Sequence, residues 1–183
     1  DCKALESVSF VNGIRDIDLY AFNLCEALAH VSLGDKLEGI GEGAFHGTGL
    51  RDTLTLTAAT IGQRAFWDCK HVKVIRVTQG VTSIGIGAFQ GCEALERIYF
   101  DRPDVSILGY GNFQFTEDMD GFELCLPESA TDDEVEQTLV AAKRWGAEIV
   151  APSHCTGFGP ICRFAREMPE PFVPAAVGVT YRL

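Results

Sequence analysis

Apolar and polar positions along this chain repeat on two scales. At short range, inward-type residues recur as Leu5/Val8/Phe10, Leu28/Val31/Leu33, Leu54/Leu56, Val72/Ile75/Val77 and Leu95/Ile98/Phe100, with mostly polar residues between them. Near-alternation of branched and aromatic residues with polar ones predicts a short strand in each segment. At longer range, each strand closes a larger unit: an isoleucine, a turn, an Ala-Phe pair, a small residue, then the alternating stretch. The clearest copy is residues 84–100, IGIGAFQGCEALERIYF. The others are 17–33 (IDLYAFNLCEALAHVSL), 40–56 (IGEGAFHGTGLRDTLTL) and 61–77 (IGQRAFWDCKHVKVIRV). CKALESVSF (2–10) reads as the back half of an earlier copy, and LGYGNFQF from Leu108 as a fainter later one. The in-phase phenylalanines, Phe22, Phe45, Phe66, Phe89 and Phe113, lie 23, 21, 23 and 24 residues apart. A fixed period in this range is the mark of a solenoid, in which one turn cannot bury its own apolar edge and must stack on the next.

Two columns of the repeat carry further expectations. Glycine recurs at 41, 62, 85 and 109, which predicts a backbone conformation that only glycine adopts cheaply. Cys2, Cys25, Cys69 and Cys92 share one position, with Thr48 in the third copy. Stacked at the strand spacing of about 4.8 Å, they are expected to form a ladder of small buried side chains, a role that suits a free thiol. The third copy is one residue short around Gly49.

The pattern I-G-x-x-A-F-x-x-C-x-x-L-x-x-I-x-F resembles the BspA-like leucine-rich repeats, and the resemblance covers about residues 1–127. It implies a right-handed solenoid of about five turns with a strand ladder along one face. It further implies a secreted or cell-surface protein that adheres to or recognises other molecules. Because residue 1 falls inside a repeat, the sequence reads as a piece of a longer chain or a form trimmed at its start.

Residues 128–183 change character and read as a small α/β cap or appended segment. Thr131 and Glu134 form a capping box, Asp132 and Asp133 suit the positive end of a helix dipole, and Gly146 ends the helix. A buried strand over 147–152, a helix from about Pro160 to before Pro169 and a strand over 177–183 are expected to follow. Pro152-Ser153-His154-Cys155-Thr156-Gly157 sits between a strand end and a helix start, a favoured place for ligand sites. The run 130–183 resembles the C-terminal end of some metallo-β-lactamase-fold hydrolases. That resemblance would make His154 an active-site or metal-ligating histidine and Cys155 a candidate thiol. The H-x-H-x-D-H cluster such enzymes need is absent from the sequence, and His30, His46 and His71 fall at unrelated repeat positions. A lone His-Cys pair does not build a three- or four-ligand site. No catalytic residue, metal or cofactor is therefore expected.

Charge narrows the partners. The net charge is −11, and residues 117–136 hold nine carboxylates without a lysine or arginine. Such a surface repels phosphate backbones, and no basic cluster answers it, so nucleic acid is an unexpected partner. Glu117, Asp118 and Asp120 lack the spaced ligands of an EF-hand and read as a solvated loop. No apolar run reaches the roughly 20 residues of a membrane helix, so membrane insertion is not expected. Seven cysteines is an odd number, which excludes a complete disulfide set. The expected binding site, for a protein or glycan, is the outward side of the strand ladder: His30, Thr53, Thr55, Arg76, Arg97 and Tyr99. Arginine and tyrosine are types enriched where binding energy concentrates.

Overall fold

Each full copy folds as a coil with three stacking segments, and the computed structural model describes residues 2–10, 13–101 and 123–125. The isoleucine that opens a copy ends a two-residue strand: β2 (Asp16–Ile17), β4 (Gly39–Ile40), β6 (Thr60–Ile61) and β8 (Ser83–Ile84). The alternating stretch forms the longer strands β1 (Ser7–Ser9), β3 (His30–Ser32), β5 (Arg51–Leu56), β7 (His71–Val77), β9 (Arg97–Phe100) and β10 (Glu123–Cys125). Every pairing is parallel. The short strands run β2-β4-β6-β8, and the long ones form a four-stranded sheet β10-β9-β7-β5 and a separate pair β1-β3.

The long ladder is thus interrupted where a single one was expected. Leu50 is buried one position ahead of its counterparts Leu28, Val72 and Leu95. Asp52 takes up the difference with φ 62°, and the register against β7 shifts between Asp52 and Thr53. The shortfall expected around Gly49 is thus present as the early Leu50, and the phase is restored at Asp52. With the backbone turned there, β5 pairs with β7 but meets the β3 coil through the Arg51 N–H to Ala29 carbonyl bond at 3.2 Å.

The turn between the two strands is itself a ladder, which the sequence did not announce. Tyr20, Phe22 and Leu24 donate their N–H groups to the carbonyls of Glu42, Ala44 and His46 at 2.7–2.8 Å. Gly43, Phe45 and Gly47 do the same to Gln63, Ala65 and Trp67, and Arg64, Phe66 and Asp68 to Ile86, Ala88 and Gln90. Backbone groups that would be orphaned in an isolated turn are satisfied by the neighbouring coil.

Inside, the expected phenylalanine column is present. Phe22, Phe45, Phe66 and Phe89 stack with centroids 5.2, 5.2 and 5.9 Å apart, and Phe10 meets Phe22 edge-on at 5.7 Å. Burying each such ring contributes about 1.5–3 kcal/mol, and each aromatic pair about 0.5–1.5 kcal/mol more. Phe113 lies outside the described residues.

Glycines 41, 62 and 85 are required for a reason other than the expected one. Their φ angles are ordinary, but a Cβ would lie 2.6 Å from Leu19 N, 2.6 Å from Gly41 C and 2.5 Å from Gln63 N respectively. Each coil rests its backbone on that of the coil before. The left-handed positions are others. The third residue after each opening isoleucine (Tyr20, Gly43, Arg64, Gly87) and the seventh (Leu24, Gly47, Asp68, Gly91) all have φ between 53° and 76°. Glycine fills both in alternate copies, and the bulky residues of one coil lean over the glycines of the next.

The small-residue column is also confirmed and explained. Cys25, Cys69, Cys92 and Thr48 are buried, whereas Cys2 is exposed, at the edge of the stack. The Cys69 thiol donates to the Phe45 carbonyl at 3.2 Å, and the Cys92 thiol to the Phe66 carbonyl at 3.5 Å. Thr48 donates its hydroxyl to Phe45 O at 2.9 Å and lies 3.2 Å from the Cys69 sulfur. This position needs a small side chain with a weak donor. Burial pushes the Cys69 thiol up to about 12 and the Cys92 thiol well above its ordinary value.

Candidate binding faces

The outward positions of the long strands were the expected site, and the registers show which of them meet. Thr53 lies beside Val74 and Val74 beside Arg97, while Thr55 lies beside Arg76 and Arg76 beside Tyr99. Thr53, Thr55 and Arg76 are exposed, and Arg97 and Tyr99 half-buried. These five share one sheet. His30 is exposed on β3, in the other sheet, so it stands apart from them. The Arg76 Nε–H donates to Asp101 Oδ1 at 2.9 Å, which fixes the guanidinium and offsets its charge. The ion pair is exposed, and pairs of this kind contribute about 0–1 kcal/mol to stability.

The turn ladder exposes a second face that sequence reasoning missed. Its side chains are linked from coil to coil. The Tyr20 hydroxyl donates to Glu42 Oε1 at 2.9 Å, and that bond holds the phenol above its ordinary pKa. His46 Nδ1 lies 2.8 Å from Asn23 Oδ1, and its Nε2 3.8 Å from Asp68 Oδ2. The His46 ring stacks on Trp67 at 4.7 Å, and the Arg64 guanidinium sits 4.8 Å from the Trp67 ring centre. The available signal was the pair of columns two and six residues after each isoleucine: Leu19/Glu42/Gln63/Ile86 and Asn23/His46/Trp67/Gln90. Their side-chain types vary from coil to coil, so they carry no apolar period that marks a ladder.

Among the described residues no group of three or more His, Cys, Asp or Glu side chains is placed to hold a metal. His154, Cys155 and the acidic loop at Glu117, Asp118 and Asp120 lie outside the described residues, as do the strands and helices expected in 128–183. No helix among the described residues is long and apolar enough to cross a membrane.

Stacked coils of about 23 residues, parallel short and long strands and a stacked phenylalanine column define a parallel β-solenoid of the leucine-rich-repeat class. The family model for the BspA type leucine rich repeat region matches residues 1–120 in six copies, and the chain belongs to that family. Six is also the number given by four full copies, the opening half copy and the faint one at Leu108.

Two solved structures match this chain, and the first shares its fold. A leucine-rich repeat protein from Bacteroides ovatus shares 19% identity with a TM-score of 0.50, over 70% of this chain and 34% of that one. A leucine rich cell surface protein from Faecalibacterium prausnitzii shares 17% identity with a TM-score of 0.30, over 71% of this chain and 56% of that one. The chain thus spans about a third of the first and just over half of the second. No curated protein matches. None of these similarities supports the metallo-β-lactamase resemblance of the tail.

Proposed function

We propose that this protein is a non-catalytic recognition module that adheres to a protein or glycan at a cell surface through the outward positions of β5, β7 and β9. The observation that carries this reading is the strand register, which sets Arg76 beside Tyr99 and Arg97 in the neighbouring column. Tyrosine supplies apolar contact area and a hydroxyl at little conformational cost, and arginine a planar fork of hydrogen-bond donors. The Asp101 contact favours one orientation of the Arg76 guanidinium on this face. Family membership supports an adhesive role outside the cell, and solenoids commonly bind through such extended faces. Residues 128–183 act in this reading as a cap or appended segment without chemistry of their own.

A glycan array and a panel of immobilised cell-surface proteins test it, with parent protein beside an Arg97→Ala/Tyr99→Ala double variant. At least one ligand should bind the parent and lose roughly tenfold or more in affinity with the double variant. A double variant that keeps every ligand of the parent refutes the strand-face assignment.

A further inference from the structure

The turn face holds four of the five large apolar side chains that are exposed among the described residues. Leu19 (63% exposed), Tyr20 (48%), Leu24 (40%) and Ile86 (68%) all lie on it, and Ile14 (46%) just precedes it. None of the large exposed apolar side chains lies on a long strand. Leu19 and Ile86 occupy the same column three coils apart, about 15 Å at the strand spacing. Glu42 and Gln63 stand between them in that column, while Tyr20 adjoins Leu19 and His46 and Trp67 stack in the column four residues on, held by their hydrogen bonds and ring contacts. Leu19, Tyr20 and Leu24 gather on one coil with Ile86 beyond the polar Glu42 and Gln63, an arrangement of apolar anchors among polar groups that suits protein contact, and Trp, Tyr and Arg are the types on which binding energy concentrates.

Charge narrows the occupant further. Across the four turn segments (18–25, 41–48, 62–69 and 85–92) the carboxylates are Asp18, Glu42 and Asp68, and the sole lysine or arginine is Arg64. The Arg64 charge is laid on Trp67. That arrangement also disfavours a sugar. His46 stacks on Trp67 from the preceding coil and the Arg64 guanidinium lies over the same ring, which leaves less of it for a sugar to stack on.

We propose that the turn face docks a different protein through a segment that sets apolar side chains on Leu19, Tyr20, Leu24 and Ile86 and places lysine or arginine against Asp18, Glu42 and Asp68. This surface is separate from the strand face, so either assignment can fail without the other. Because Tyr20, His46 and Trp67 are tied to neighbouring side chains beforehand, ordering them adds little cost on binding.

A phage-displayed dodecapeptide library selected on the immobilised full chain is the test. The expected winners combine leucine or aromatic residues with lysine or arginine. Synthetic copies should bind about tenfold or more weakly to a Leu19→Ser/Ile86→Ser variant and keep their affinity for Arg97→Ala/Tyr99→Ala. Leu19 and Ile86 are exposed, so the serine pair should melt like the parent, and it decides the matter even if Trp67→Ala, the second variant, fails to fold. Enrichment of nothing above the bare support, enrichment of acidic peptides, or indifference to the serine pair each overturns the proposal. So does a parent chain that self-associates and becomes monomeric with the serine pair, because the face would then join two copies of this chain.

Discussion

At the scale of single residues, a position in this protein is decided by the residue one coil away. Phe66 is fully buried between the rings of Phe45 and Phe89, so Phe66→Ala should cost about 3–5 kcal/mol. Phe22 is only partly buried, near the start of the stack, and Phe22→Ala should cost distinctly less. Urea unfolding of the two variants beside the parent measures the difference, and equal losses would contradict the ring column. Gly62→Ala tests the close approach of backbones. Its new Cβ would lie 2.6 Å from the carbonyl carbon of Gly41 and cannot be relieved by turning a flexible side chain. The overpacking cost of about 1–3 kcal/mol should exceed the roughly 0.4–1 kcal/mol an alanine returns by restricting the unfolded chain, so the melting temperature should fall. The buried thiols give a pH dependence. The Cys69 thiol is raised from 9.0 to about 12 by burial, so its contribution is complete below pH 9, where both states hold the proton. Above pH 9 the unfolded chain loses that proton first, and stability falls as pH rises toward 12 by at most about 1.4 kcal/mol per unit. Cys69→Ala should flatten that alkaline limb in denaturation curves taken between pH 8 and 11.

At the scale of elements, the coil has three ladders rather than two strands and a loop. The turn ladder supplies three inter-coil N–H to carbonyl bonds per step, as regular as those of the short strands. The break between β3 and β5 has the opposite effect. Residues 2–33 join the rest through the short-strand and turn ladders, without a continuous long-strand ladder. Leu5, Val8, Phe10, Phe22 and Val31, all in this section, are only partly buried, whereas the later coils hold side chains at or near zero exposure. Regions with few buried contacts open locally at lower free energy. Amide hydrogen exchange should therefore be faster in β1 and β3 than in β5, β7 and β9. Uniform protection across all five strands would show that the break carries no energetic weight.

At the scale of the whole molecule, the solenoid presents distinct faces from one repeating unit, and the repeat position determines which face a side chain joins. The core positions are nearly invariant in type, while the outward positions vary from coil to coil. The strand face runs from Thr53 and Thr55 to Arg97 and Tyr99, and the turn face from Leu19 to Ile86. Stability in such an array is close to a sum of coil and nearest-neighbour terms. Substitutions on one face should accordingly leave the other face unaffected. Arg97 and Tyr99 are half-buried and each interacts within the fold, so Arg97→Ala/Tyr99→Ala should cost a modest amount, about 0.5–3 kcal/mol, in urea unfolding. A larger loss would place them among the structural residues.

The sequence by itself determined the repeat, its period, the inward residues, the phenylalanine column and the family. These follow from side-chain type at a fixed spacing, and a 23-residue pattern survives individual substitutions such as Thr48 for cysteine. It also located the five outward residues that share a sheet. Tertiary structure alone decided how the coils rest on one another. The glycines at 41, 62 and 85 looked like a conformational requirement but answer a distance between backbones, which does not exist until two coils are stacked. The same holds for the turn ladder, whose bonds join residues about 22 apart, and for the separation of His30 from Thr53, set by one misplaced residue at Asp52. Periodicity specifies which side of a coil a residue faces. Only the contact between coils specifies what it meets there.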